Sequence, residues 1–263
     1  MGDPADCFAA GQAAVFVDEI LVSPMNARTA ELAAQAAQGN PKVRILPPGD
    51  TGIYSAWNKL VNGCATSHIA FHGIDDLVRP SAEIGTAVAQ LLPDDLLVCS
   101  IQFATPQGVE TAVYHHRETV PPALSLGRLA NPACPEVCWP LALVRQAGGL
   151  DESFRIAGDA DLWFRVRPLA RRIDTEAVLL TMLDGGASAS ARHARTVWLE
   201  NRRIARARQQ SVPLSNRLLA GGFLNGRYLL YRLGGAKFAD TATDALRRLA
   251  GKPPRYSLIH AGQ

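Results

Sequence analysis

No run of this 263-residue chain is long and apolar enough to read as a transmembrane helix, and its start lacks the basic-then-apolar order of a secretory signal. Those absences make the cytoplasm the expected address. A disulfide framework is excluded too, because the five cysteines, Cys7, Cys64, Cys99, Cys134 and Cys138, are odd in number and scattered. They read as buried thiols in a reducing compartment. Cys134 and Cys138 lack the neighbouring ligands that zinc needs, since His115 and His116 stand upstream on another element. Charge of one sign is scarce: Lys and Arg number 27 against 24 Asp and Glu, a net +3 that says little about partners. No glycine-rich basic phosphate loop stands near the start, no nucleic-acid module is recognisable, and there is no internal repeat.

What is present is ordinary globular material, 48% hydrophobic and 19% charged, enough for a sizeable core. Short apolar strands alternate with helical stretches, the pattern of an α/β domain. A helix is expected over residues 8–16, a strand over 19–23, an alanine-rich helix over 27–38 and a strand over 43–46. A helix over 54–62, a strand over 68–71 and a helix over 80–92 follow. Strands are expected over 96–103 and 109–115, and residues 120–140 read as a proline-rich loop. A helix beginning at Asp159 and a strand over 177–182 complete the domain, taken to span residues 1–190. Residues 191–263 read as a basic helical extension.

Two carboxylate clusters stand out. The strand at 68–71 ends in a turn that carries Asp75 and Asp76, and ligands bind at the carboxyl edge of open α/β sheets. Hard divalent cations take oxygen ligands there, often with substrate phosphates. An Asp-Asp turn, with Asp76 near a helix start, accounts for the same residues. The second cluster, Asp159 and Asp161, opens a helix. One of them is expected to cap it, leaving the other to act as a general base.

Taken in order, Asp50-Thr51-Gly52-Ile53-Tyr54-Ser55-Ala56-Trp57-Asn58-Lys59, the aspartates after Phe71, Gly148-Gly149-Leu150-Asp151-Glu152-Ser153-Phe154 and Asp159-Ala160-Asp161-Leu162 resemble a family 2 glycosyltransferase. The resemblance is to the bacterial surface-polysaccharide branch of colanic-acid and capsule type, and Gly185-Gly186-Ala187-Ser188 and residues 244–252 extend it. It implies a GT-A Rossmann-like mixed sheet flanked by helices. It also implies inverting transfer of a sugar from a nucleotide-diphosphate sugar to a hydroxyl, on a glycan or polyprenyl-linked acceptor.

By that resemblance Asp75 binds Mn2+ or Mg2+ and Asp76 neighbours it. Asn26, Gly52, Tyr54, Asn58 and Lys59 lie on the donor side, and Asp159 is the catalytic base, with Asp161 in support. The chain departs from the pattern in three places. Gly73 takes the first aspartate's place in the metal motif, Ser23-Pro24-Met25-Asn26 replaces an acidic, glycine-rich turn, and the first strand has no counterpart before residue 8. Either the true start lies upstream or the amino-terminal part is rearranged; an alternative register makes residues 19–28 the first strand.

Between Arg192 and Arg232 nine arginines face a single acid, Glu200, among aromatic and apolar residues. This fits an interfacial helix on an anionic membrane, peripheral on the inner face, and fits equally a solvated arginine face. His193 reads as a surface residue. Two other functions compete: a non-catalytic glycosyltransferase-like protein that binds glycan or membrane, and a metal-dependent nucleotidyltransferase.

Overall fold

The computed structural model describes residues 9, 11, 13–73, 76–105, 108–117, 124–125, 128–129, 131–183, 185–210, 212–251, 254 and 256–257. The chain forms two compact units, one of Met1–Phe103, Thr111–His116 and Pro132–Met182, the other of Ala104–Glu110, Arg117–Asn131 and Leu183–Gln263.

The first unit is the expected mixed α/β sheet with helices. Strand β1 (Ile20–Val22) pairs in parallel with β2 (Val43–Ile45), Leu21 opposite Arg44. Between them runs α1 (Ala27–Ala37), started by a reciprocal cap in which the Asn26 side chain accepts from Thr29 N at 2.9 Å. Helix α2 (Ile53–Gly63) follows β2 and buries Tyr54 and Val61.

Strands β3 (His68–Ala70), β4 (Leu77–Val78), β5 (Asp95–Ala104), β6 (Glu110–His115), β9 (Val137–Pro140) and β10 (Arg171–Leu183) form a second sheet. Its order is β3-β9-β5-β10-β4, with β6 also paired to β5. Strand β9 is antiparallel to both β3 and β5. Leu97, Cys99, Cys138 and Leu179 cluster on one face with Ile84 of α3 (Ala82–Ala89). On the other face Trp139 meets Trp163 edge-on, ring centres 6.2 Å apart. Trp163 belongs to α5 (Gly158–Val166), which follows α4 (Leu141–Gln146).

The structure corrects the sequence reading in several places. Within the expected loop at 120–140, Val137 to Pro140 form β9, a fully buried strand in the middle of the sheet. Its apolar run is only four residues long and ends in proline, so neither alternation nor length marks it. Pro140 closes the strand opposite His68 at a non-hydrogen-bonded pair, since Leu141 N bonds Ser67 O, so its missing donor breaks no bond of the β3 ladder. The short helix α4 was not anticipated, and Asp76 precedes a strand, β4, rather than a helix. The helix expected over 80–92 is shorter, Ala82–Ala89, with Ser81 as its cap. Cys64, Cys99, Cys134 and Cys138 are buried free thiols.

The second unit holds the paired strands β7 (Leu124–Ser125) and β8 (Arg128–Leu129), helix α6 (Ala194–Ala207) and helix α7 (Leu214–Leu249), which is broken at Gly235 with φ +79°. Buried Asn201 accepts from Leu129 N at 2.9 Å and donates to Val197 O at 2.8 Å. Arg227 ties the two parts of α7 together by bonding Asp240 at 2.6 Å, with its guanidinium 3.8 Å from the centre of the Tyr256 ring. Among the described residues no helix is long and apolar enough to cross a membrane.

Candidate functional site

A cavity of about 680 Å³ opens within the first unit. Its rim is set by Ser23 after β1, Asp50 to Ile53 entering α2, and His72 and Gly73 after β3, so it lies where three strands end. This is the edge at which an α/β sheet holds ligands. Trp57 closes one side and stacks on Phe71, ring centres 4.8 Å apart and planes 19° from parallel.

Asp50 organises the rim. Its carboxylate accepts from the Ser23 hydroxyl at 2.6 Å and pairs with Lys59 Nζ at 2.5 Å, while Lys59 also donates to Pro47 O at 2.8 Å. Burial pushes this carboxyl up, but the hydrogen bonds from Lys59 and Ser23 outweigh it and hold its pKa below the usual value. Lys59, expected beside the donor phosphates, therefore fastens the loop after β2 to α2. Asn58 has a comparable duty 92 residues along the chain. Its amide accepts from Leu150 N at 2.7 Å and donates to Leu150 O and Glu152 Oε1, both at 2.9 Å. That loop turns at Gly148 and Gly149, with φ of +84° and +71°, values that favour glycine.

Tyr54 makes the link to the second cluster. Its buried hydroxyl accepts from Gly158 N at 2.7 Å and from the amide of Asp159, two free donors in the first turn of α5. The N-cap residue is Ala157, which has no capping side chain, so neither Asp159 nor Asp161 caps the helix and the tyrosine from α2 does so instead. Asp161 is buried and bonds Arg165 at 2.8 Å, which in turn holds Ala147 O. Asp159 is half-buried, and its negative charge acts on both Tyr54 and Cys134. Burial first, then that charge, raises the pKa of the Tyr54 hydroxyl and keeps it protonated.

The remaining expected residues are dispersed. Gly52 lines the cavity, whereas the Asn26 side chain is engaged in capping α1. Asp75 lies outside the described residues. Asp76 is buried and accepts from Gly73 N at 2.7 Å, closing the turn after β3. Among the described residues no three potential ligands converge on one point. Asp50 is engaged by Ser23 and Lys59 and Asp76 by Gly73 N, so a hard cation at this rim would have to take most of its oxygens from phosphate and water.

Sequence reasoning missed Gly158 and the Ser23–Asp50 bond. A Cβ on Gly158 would stand 2.7 to 2.9 Å from three Tyr54 ring atoms, so only glycine lets the ring seat. No pattern within the local sequence carries that signal.

No family profile and no curated protein sequence matches this chain. Solved structures do. Residues 1–349 of TarS from S. aureus in complex with UDP-GlcNAc superpose with a TM-score of 0.55 at 15% identity, over 88% of this chain and 69% of that one. The mannosyltransferase PcManGT from Pyrobaculum calidifontis, in complex with GDP-Man and Mn2+, gives 0.54 at 13% identity, over 99% of this chain and 76% of that one. The chain spans 41% of a longer TarS structure. The shared fold is that of GT-A glycosyltransferases.

Proposed function

We propose that this protein is a glycosyltransferase that takes a sugar from a nucleotide-diphosphate donor in the rim cavity and passes it to an acceptor hydroxyl deprotonated by Asp159. One observation carries the reading: the start of α2 presents Gly52 and Ile53 to the cavity and Tyr54 to Gly158, so the donor rim and Asp159 are tied through the buried Tyr54 hydroxyl. The nucleotide-sugar complexes of TarS and PcManGT, which share this fold, support the donor class.

In this reading the acceptor oxygen attacks the anomeric carbon as the bond to the diphosphate breaks, with inversion, and its proton passes to the Asp159 carboxylate. The Asp159 charge acts on the protonated Tyr54 hydroxyl and on the buried Cys134 thiol beside it. Asp50, Lys59 and Asn58 fix the segments that bear these groups. Mn2+ or Mg2+, held from Asp75 beside Asp76, would offset charge on the departing diphosphate.

The acceptor is a growing bacterial surface glycan, carried on a polyprenyl lipid. Leu214, Leu218, Leu219, Leu229 and Leu233 lie exposed along α7 with Arg217 and Arg232 among them, a face suited to an anionic bilayer from the cytoplasmic side. Vesicles with and without anionic lipid test this face: binding that ignores lipid charge and survives Leu218→Glu with Leu229→Glu refutes it.

Nucleoside diphosphate release from a panel of UDP- and GDP-sugars with Mn2+ and a glycan acceptor tests the proposal. Release from at least one donor, abolished by Asp159→Asn, is expected. No release by the full chain, with glycan binding intact, would instead establish a non-catalytic binding protein.

A further inference from the structure

Helix α6, in the second unit, gathers its positive charge on one side. Arg195, Arg202 and Arg206 follow one another at intervals of seven and four residues, which sets them within about 40° around the helix, in a row about 16 Å long. Arg192, exposed in the turn just before the helix, extends the row. Glu200, the one acid of α6, lies about 120–160° around the helix from these three arginines, and the far side buries Val197, Trp198, Asn201 and Ile204.

Aromatic rings, not carboxylates, hold these guanidinium groups. Arg202 lies 5.4 Å from the ring centre of Trp198, and Arg195 lies 6.0 Å from that of Tyr228 on α7. Trp198 is itself fixed against Gly221 of α7, where a Cβ would stand 2.9 Å from its ring. Elsewhere Arg171 pairs with Asp95 and Arg227 with Asp240, but among the described residues no carboxylate pairs with Arg195, Arg202 or Arg206. Like charges left side by side repel, so a ligand of repeated negative charge relieves them, and two of the three side chains are ordered for it in advance.

The surroundings of the row decide between polyanions. An anionic bilayer takes arginines interspersed with apolar side chains, and the one large hydrophobic residue exposed on α6 is Leu199. Single-stranded nucleic acid stacks its bases on open aromatic faces, whereas Trp198 is buried and guanidinium groups lie over both rings. A charged sugar chain needs neither feature, because its acidic groups meet the guanidinium forks in solvent. We infer that the exposed face of α6 binds an acidic glycan, a chain with a negative charge on its repeating unit, through Arg195, Arg202 and Arg206. That this chain is the acceptor being extended rests on the transferase reading; the binding itself does not.

The test titrates the full chain, without sugar nucleotide, into end-labelled oligogalacturonate and reads fluorescence anisotropy. Binding that neutral dextran does not displace, and that weakens at least about 10-fold as salt rises, is expected. Arg195→Gln, Arg202→Gln and Arg206→Gln together should lower affinity at least about 10-fold, with a thermal midpoint within about 3 °C of wild type. Should that variant fail to fold, Arg206→Glu alone, at an exposed side chain, should lower affinity at least about threefold. A phosphodiester-linked oligosaccharide of equal charge distinguishes phosphate from carboxylate recognition, and binding of neither chain overturns the inference. Unchanged affinity in the variants, equal competition by dextran, or stronger competition by poly(U) overturns it too. Glycan binding with a silent donor panel would refute only the transferase reading, and donor turnover without glycan binding would refute only this one.

Discussion

Replacing Tyr54 with phenylalanine removes one oxygen and keeps the ring. That oxygen accepts from Gly158 N at 2.7 Å in a buried setting, at a helix start whose N-cap residue, Ala157, offers no side-chain bond. An unsatisfied buried backbone donor costs about 1–3 kcal/mol. With a urea slope of about 1–3 kcal/mol per molar, a loss of about 2 kcal/mol lowers the unfolding midpoint by about 0.7–2 M. Donor turnover should fall further than stability, because Asp159 follows Gly158 directly and a misplacement of about 1 Å costs on the order of 100-fold in rate. Gly158→Ala should reproduce both effects from the other side, since its Cβ would stand 2.7 Å from the Tyr54 ring. Tyr114→Phe, at an exposed tyrosine, serves as control and should change stability by less than about 0.5 kcal/mol. If Tyr54→Phe unfolds and turns over like the wild type, the tyrosine is not the cap that seats Asp159, and the link between the two clusters fails.

Glu136 predicts a pH dependence. Burial pushes its carboxyl up to about 8, although the amides of Ala133 and His116 and the charge of Arg172 pull it down. A folded pKa above the unfolded one means that its stabilising contribution is complete below about 4.5 and declines as pH rises through 8. Wild-type stability should therefore drop between pH 5 and pH 9 in urea titrations, and Glu136→Gln should flatten that slope; an equal slope in both forms contradicts the assignment. In the second unit, Asp240→Asn leaves the buried Arg227 guanidinium without its anionic partner. It should cost about 3–5 kcal/mol in thermal or urea unfolding. Arg248→Ala, on an exposed side chain of the same helix, should cost little.

Elements with a period of their own are legible in the amino-acid sequence. Residues 27–38 and 54–62 predict α1 and α2 to within a residue or two, and the apolar runs at 19–23, 43–46 and 68–71 predict β1 to β3. Strand β9 is not legible, because its place is decided by its neighbours β3 and β5 rather than by any pattern in Val137 to Pro140. The site shows the same division. Asp159 and the run from Asp50 to Lys59 stand out in sequence, but what the run does becomes visible only with contacts about 100 residues apart. Lys59 and Asn58, expected to meet the donor, hold loops, and the cap assigned to an aspartate comes from Tyr54.

If Asp159 performs the chemistry while the cavity rim binds the donor, the two duties must separate in a single variant. Wild type and Asp159→Asn should be compared side by side with the donor the panel identifies, measuring its binding by calorimetry and nucleoside diphosphate release in the presence of acceptor. Donor affinity within about twofold of wild type, with release reduced at least about 1000-fold, is the predicted result. Release by Asp159→Asn at the wild-type rate would contradict it.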